Sequence, residues 1–288
     1  MIEPVAYINP RVIGRASEPY WTPEQLSERA YERAMHPQYT GGSMIHMPQG
    51  WIYTMSSAPW LGLAQGHGAA WTDVLGRVLA ERPGHKWTLY SGWQMSSAYT
   101  IYGRPRPDGE QWGFIGEPDW ADADNPQHVR MLRDLNIQEW ADRGVTKFVF
   151  DSGSKDPREI VRWRRKLRRV VKTVGLEAIP WVGGQQEFAH IDWQWCEQFG
   201  LEYHGNQRFR AGRPFLEDVP ASCVGRAFVW LVHMMDPPPT PLEVAGMMQR
   251  GWTPVVSGSR DQLMADAMAI YTAPDPRQPQ QTRVQGDE

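Results

Sequence analysis

The chain has 288 residues, of which 41% are hydrophobic and 22% charged, and its formal net charge is −3. This length suits one large α/β domain or two small ones, and the small net charge excludes a strong general attraction to nucleic acid or to an anionic membrane. No apolar run approaches the roughly 18 residues of a transmembrane helix. The opening Met1-Ile2-Glu3-Pro4 lacks the basic and apolar segments of a secretion signal. We therefore expect cytoplasmic synthesis without a secretion signal, and neither a membrane nor a nucleic-acid partner.

Cysteine and lysine are scarce in this sequence, and tryptophan is abundant. Cys196 and Cys223 are the only cysteines, too few for a disulfide framework or a zinc cluster, so we expect two reduced core thiols. The 15 Trp residues are far more than an ordinary domain carries. Of the five lysines, only Lys155 follows the end of a predicted strand, which argues against a Schiff-base aldolase.

Eight short apolar runs bounded by turn residues predict eight strands. Most of them are continuous rather than alternating, which is typical of strands buried on both faces. The predicted strands span residues 4–9, 43–47, 86–91, 147–151, 176–182, 201–205, 227–234 and 253–257.

Helix start signals stand between these strands. Thr22-Pro23-Glu24-Gln25 and Thr240-Pro241-Leu242-Glu243 both place an N-cap, a proline at the first helical position and a capping-box residue. Asp156-Pro157 and Asn125-Pro126 open two more predicted helices, and Ser259 is the predicted N-cap of the last one.

Strand–helix alternation repeated about eight times predicts a single (β/α)8 TIM-type barrel over residues 1–271. A doubly wound open sheet is the alternative, but no G-x-G-x-x-G turn follows the first strand. The second and third βα loops, roughly 48–70 and 92–124, are unusually long. Residues 272–288 form a polar tail, rich in Pro and Gln, that has no means to build a core.

The carboxyl ends of the strands are where such a barrel holds its active site. Asp151 closes the fourth strand and is therefore expected at the mouth of the barrel. Other polar residues at or after strand ends are candidates for substrate binding, namely His46, His204, Asn206 and His233.

Aromatic residues are concentrated in the long loops and near the fifth strand end. Indole rings offer flat apolar faces with a polar edge, which match the C–H face of a sugar ring. We therefore expect Trp51, Trp93, Trp112 and Trp181 to contact a glycan.

Glycoside hydrolysis requires a second carboxylate beside Asp151. The candidates are Glu187, after the fifth strand, and Asp236, after the seventh. Asp236 is preferred because strand seven faces strand four across a barrel, although "DPPP" (236–239) is also typical of a rigid surface turn.

The segment "TKFVFDSGS" (146–154) resembles the end of the fourth strand in α-galactosidase-type glycoside hydrolases. The resemblance implies a barrel fold and a nucleophilic role for Asp151. In that group the acid/base Asp lies near strand six, whereas strand six here reads "LEYHGNQRFR" and has no Asp at its end.

Two alternatives stay open beside a glycoside hydrolase that needs no cofactor. The chain could instead be a non-catalytic barrel that binds carbohydrate and serves as a structural subunit, with neighbouring subunits in a particle such as a virion. It could also be a metal-dependent hydrolase using His46, His204, His233 and Asp151, although no H-x-H opens the first strand.

Overall fold

The structure, a computed structural model, describes residues 1–10, 21–46, 67–92, 94–95, 119–120, 124, 126, 133, 137–152, 165–172, 181–184, 201–204, 218–231 and 238–273.

Eight of the strands in these ranges form one sheet. They are β1 (Val5–Ile8), β2 (Ser43–His46), β3 (Trp87–Gly92), β6 (Val145–Ser152), β7 (Trp181–Gly184), β8 (Leu201–His204), β9 (Ala227–Leu231) and β10 (Thr253–Val256). The short strands β4 (Gln94–Met95) and β5 (Asp119–Trp120) pair antiparallel with each other. This small ladder joins the start of the predicted third loop to its end.

The large sheet has the order β7-β6-β3-β2-β1-β10-β9-β8, and every neighbouring pair is parallel. Among the described strands, the first therefore lies beside the last, and the two edge strands follow each other in chain order. These edge strands, β7 and β8, also contact each other. The sheet is therefore curled, in the strand order of a (β/α) barrel.

Seven of the eight predicted strands coincide with observed strands to within a few residues. The fifth, predicted over 176–182, overlaps β7 at Trp181 and Val182, and its residues 176–180 lie outside the described residues.

The described helices are α1 (Pro23–Met35), α2 (His67–Glu81), α3 (Gln138–Asp142), α4 (165–172), α5 (Pro241–Gln249) and α6 (Asp261–Tyr271). Both predicted capping boxes are confirmed: Thr22 and Gln25 exchange hydrogen bonds at the start of α1, and Thr240 and Glu243 do so at the start of α5. Each cap supplies partners for backbone N–H groups that the first helical turn leaves unpaired.

The predicted N-cap of the last helix is wrong. Residues Gly258–Arg260 form a 3-10 turn, and α6 begins only at Asp261. The Ser259 hydroxyl lies 3.0 Å from the Ser257 hydroxyl. The Ser259 hydroxyl is thus within hydrogen-bond distance of another residue of the turn, and no side chain caps α6.

Two apolar clusters hold the helices on the outer face of the sheet. In the first, Trp71 of α2 packs edge-on against Trp140 of α3, with 5.8 Å between ring centroids. The second joins β9 and β10 to α5 and α6 around Trp252, which is fully buried. Strands such as β9, in which every residue is buried, need this outer layer because both of their faces are apolar.

A third apolar cluster fills the inner face of the curled sheet. It brings together side chains from six strands, namely Tyr7, Met44, Tyr90, Val149, Phe228, Trp230 and Val255. Tyr90 of β3 contacts Trp230 of β9, although three strands separate them in the sheet order. This contact across the interior is direct evidence of the curl.

Within the described residues, no helix combines the length and the apolar character needed to cross a membrane. The described cysteine, Cys223, is a buried free thiol, as expected. Helix α4 buries Leu167, Val170 and Val171 and leaves Arg165, Arg168, Arg169 and Lys172 exposed.

Candidate active site at the carboxyl ends of the strands

Asp151 lies at the carboxyl end of β6, the fourth strand of the curled sheet in chain order. Its register partners are Gly92 on β3 and Gly183 on β7. Both strands flanking the aspartate thus carry glycine beside it, so neither register partner contributes a side chain at that level. Glycine inside a strand is typical of places where another molecule or chain segment approaches closely.

A layer of aromatic side chains lies inside the curled sheet, and its member Tyr90 pairs with Val149, two residues before Asp151. The Trp230 ring meets the rings of Tyr7 and Tyr90 edge-to-face, with centroid separations of 5.2 Å and 5.0 Å. All three are nearly fully buried. Asn9, one residue past β1, donates a hydrogen bond to the Tyr7 hydroxyl at 3.3 Å. This aromatic layer (Tyr7, Tyr90, Trp230) therefore forms a solid floor beneath the strand ends.

Three further predicted site residues pair with members of the inner cluster. His46 pairs with Tyr90, His204 with Trp230, and Trp181 with Val149. His46 and His204 are the last residues of their strands, whereas Trp181 is the first residue of β7 and pairs two residues before Asp151.

The other predicted site residues lie outside the described residues. They are the binding candidates Trp51, Trp93, Trp112, Asn206 and His233, and the second-carboxylate candidates Glu187 and Asp236. Among the described residues, no three His, Cys, Asp or Glu side chains are grouped so as to hold a metal ion.

A polar site that the sequence did not indicate lies at the opposite end of the strands. A cavity of about 710 Å³ opens there and is lined by the strand starts and the turns that precede them. Lys86, Lys147 and Arg226 contribute to its wall. Burial lowers the pKa of Lys147, and the positive charges of Lys86 and Arg226 lower it further.

No protein-family model and no curated protein matches the sequence. The structure is similar to solved structures, one of which is a noncanonic maltogenic α-amylase, AmyB, from Thermotoga neapolitana. That similarity has a TM-score of 0.57 at 13% identity and covers 91% of this chain and 68% of the amylase.

Weaker similarities extend to a GH20 β-N-acetylhexosaminidase from Streptomyces coelicolor A3(2) and to endonuclease IV from Thermus thermophilus. The first has a TM-score of 0.42 at 14% identity and covers 89% of this chain, which spans only 48% of that enzyme. The second has a TM-score of 0.46 at 12% identity and covers 93% and 97% of the two chains. At these identities the amylase similarity establishes the fold, an α/β fold of the TIM-barrel type, and nothing about activity.

Proposed function

We propose that this protein binds a glycan at the carboxyl ends of its strands and hydrolyses it, with Asp151 as nucleophile or base. The observation that carries the proposal is the pairing of Asp151 with glycine on both sides. A carboxylate in such a gap has room beside it for a substrate, and carboxylates at this end of a barrel are the usual catalytic groups.

The alternation of strand side chains supports an inward direction for Asp151. Val149 belongs to the inner cluster and Phe148 to the outer one. Asp151 stands two residues after Val149, the spacing at which residues of a strand share a face, and the proposal therefore takes its carboxylate to be on the inner face.

The sheet order supports Asp236 as the second carboxylate. Four strands separate β6 from β9 on one side of the sheet, and Val149 of β6 shares the inner cluster with Phe228 of β9. A residue just past β9 would therefore face Asp151 across the mouth, which favours Asp236 over Glu187. The tryptophans Trp51, Trp93 and Trp112 would then hold the sugar rings from the two long loops.

The proposal includes closure of the sheet into a complete eight-stranded barrel. Contact between the edge strands β7 and β8 supports closure. In a closed barrel every strand end would contribute to a single mouth.

The test is a glycan-array binding assay combined with a reducing-sugar release assay on the wild type and on Asp151→Asn. Losing the carboxylate should reduce release by a factor on the order of 10²–10⁴, while glycan binding persists because the neutral amide keeps the shape of the site. Asp266→Asn is the matched control, since Asp266 is an exposed acid on α6.

Three outcomes of the assay are informative. Unchanged release by Asp151→Asn would contradict the role of Asp151. Binding by the wild type without any release would instead support a non-catalytic, carbohydrate-binding subunit. If release is lost, Asp236→Asn and Glu187→Gln identify the second carboxylate by which of them also loses it.

A further inference from the structure

Helix α4 presents a strongly basic surface on the outside of the molecule. Its residues Arg165, Arg168, Arg169 and Lys172, here called the basic face, are all exposed, whereas the apolar residues of the helix are buried. Arg169 lies 3.6 Å from the carboxylate of Asp124. Within the described residues, Arg165, Arg168 and Lys172 form no ion pair. The basic face is therefore open to a partner of opposite charge.

The positive charge of the chain is concentrated around this helix. Residues 158–172 contain eight of the 30 Lys and Arg residues but one of the 33 Asp and Glu residues. The rest of the chain therefore has 22 cationic and 32 acidic residues, a formal net charge of −10. That excess of negative charge repels nucleic acid and anionic lipid, which disfavours both as partners of the basic face. A molecule whose charges are segregated in this way is complementary to a second copy of itself.

Helix α1 presents the opposite charge. Glu24, Glu28 and Glu32, here called the acidic ridge, are exposed and spaced four residues apart, so they lie on successive turns of one side of the helix. Like charges at this spacing destabilise a helix slightly, and a cationic partner would remove that cost. The nearby Arg29 guanidinium lies 5.4 Å from the Trp21 ring centroid. Within the described part of the chain, Glu28 and Glu32 form no ion pair, so the acidic ridge is open to a cationic partner.

The two charged surfaces are similar in length and stand apart on the molecule. At a helix rise of about 1.5 Å per residue, the acidic ridge is about 12 Å long and the basic face about 10 Å. Helix α1 follows β1 and helix α4 follows β6, and β2 and β3 separate these two strands in the sheet order. Because of this separation, the acidic ridge of one molecule can reach the basic face only of another.

We propose that copies of this chain associate head to tail, with the basic face of one copy against the acidic ridge of the next. The two surfaces differ, so the contact is heterologous, and each added copy leaves one basic face and one acidic ridge unoccupied. Association therefore continues into a ring or a filament and does not stop at a dimer. The contact is made by exposed charges, so salt should weaken it strongly. This association does not depend on the proposed glycan hydrolysis.

The test is sedimentation velocity of the purified full chain over a range of protein concentrations. At about 0.02 M salt the wild type should sediment faster as its concentration rises, whereas at about 0.5 M salt it should remain a monomer, because screening shortens the reach of each charge. Arg165→Glu/Arg168→Glu and Glu28→Lys/Glu32→Lys should each raise the dissociation constant by about tenfold or more, because each places like charges across the contact. All four substituted side chains are exposed, so the variants should fold.

Two further variants make the test specific to these surfaces. A chain that carries all four reversals has the charges of its two surfaces exchanged, so it should associate like the wild type. Asp218→Lys/Asp266→Lys changes the net charge as much as the reversal on α1 does, but at exposed positions outside both surfaces, and should also associate like the wild type.

Four results would each overturn the proposal. They are a wild type that stays monomeric at low salt, a reversal on either helix that leaves association unchanged, a fourfold variant that stays monomeric, and a control variant that loses association.

Carbodiimide cross-linking gives an independent measurement. The reagent joins a carboxylate to a lysine amine in contact with it, so Lys172 should be coupled to Glu28 or Glu32. In a mixture of unlabelled and isotope-labelled chains, these cross-links should join light peptides to heavy ones, because the contact is between copies. Cross-links confined to peptides of the same label would place the contact within one chain and contradict the proposal.

Discussion

His85 shows how one half-buried ring responds to its surroundings. It lies in the turn before β3, where its Nε2 is 3.1 Å from the Ser43 hydroxyl and its ring meets Trp87 edge-on at 4.8 Å. Burial, together with the positive charge of Arg82, lowers the pKa of His85 from 6.5 to about 4. The folded protein therefore holds this imidazole neutral at a pH where an unfolded chain would protonate it.

We predict that this histidine destabilises the protein in mild acid. Between pH 6.5 and about 4 the unfolded state binds one more proton at this position than the folded state does, so stability falls as pH is lowered through that window. After allowance for partial exposure the loss should be on the order of 1 kcal/mol. His85→Gln, which can still bond to Ser43, should lose correspondingly less stability over the window, measured by urea unfolding at each pH. If the free energy of unfolding falls equally with pH in the wild type and in His85→Gln, the pKa of His85 does not account for the loss.

At the scale of elements, two glycines differ in whether their position in the fold leaves room for a side chain. Gly42, just before β2, has a φ of 107°, and a Cβ placed there would lie 2.2 Å from the Lys86 carbonyl oxygen. Gly76 is an exposed residue within α2, where a Cβ would meet no atom within 4 Å. The first glycine lets the turn approach β3 closely, whereas the second only weakens its helix.

We predict opposite effects of the same substitution at these two positions. Gly42→Ala should cost roughly 3 kcal/mol or more, through backbone strain and the clash with Lys86. Gly76→Ala should stabilise α2 by about 0.5–1 kcal/mol. Chemical denaturation of both variants measures the two effects. A neutral Gly42→Ala would show that the approach to Lys86 is not required.

Local sequence patterns predicted most of the helices and strands, but little of the strand register and packing that bring them together. The segments that begin at Thr22 and Thr240 each predict a helix start, because a capping box is complete within four residues of sequence. Asp151 was predicted at a strand end, but its two glycine partners depend on the register with β3 and β7, which local patterns do not contain.

The cavity at the amino-terminal ends of the strands could not be predicted for a related reason. Lys86 immediately precedes β3 and Lys147 is the third residue of β6, and in the sequence both resemble ordinary solvent-facing residues. Only the curl of the sheet brings them to the same wall as Arg226, which precedes β9.

At the scale of the whole molecule, a polar cluster ties the first helix to the last. Arg33 of α1 donates to both carboxylate oxygens of Asp261 at 2.6 and 2.8 Å, and to the Val256 carbonyl at 2.6 Å. The Tyr39 hydroxyl donates to Asp261 as well, and the Arg33 guanidinium stacks 4.3 Å from the Tyr39 ring centroid. Burial raises the pKa of Tyr39, so it remains a donor.

We predict that this cluster contributes measurably to global stability. Asp261→Asn should cost about 2–3 kcal/mol, because it leaves the mostly buried Arg33 without its countercharge. Asp218→Asn, which breaks an exposed pair with Arg250, should cost less than ~1 kcal/mol. Thermal unfolding of the two variants beside the wild type gives the comparison, and equal shifts in Tm would show that Arg33 is solvated after all.

The pairing of β1 with β10 also bears on how the protein is made. Val5 pairs with Val255, so one flank of the first strand has no partner until nearly the whole domain has left the ribosome. An open flank on a buried, apolar strand can capture the wrong partner, and such distant pairings form slowly. Nascent chains stalled before residue 253 should therefore depend on chaperones in a way that the finished protein does not.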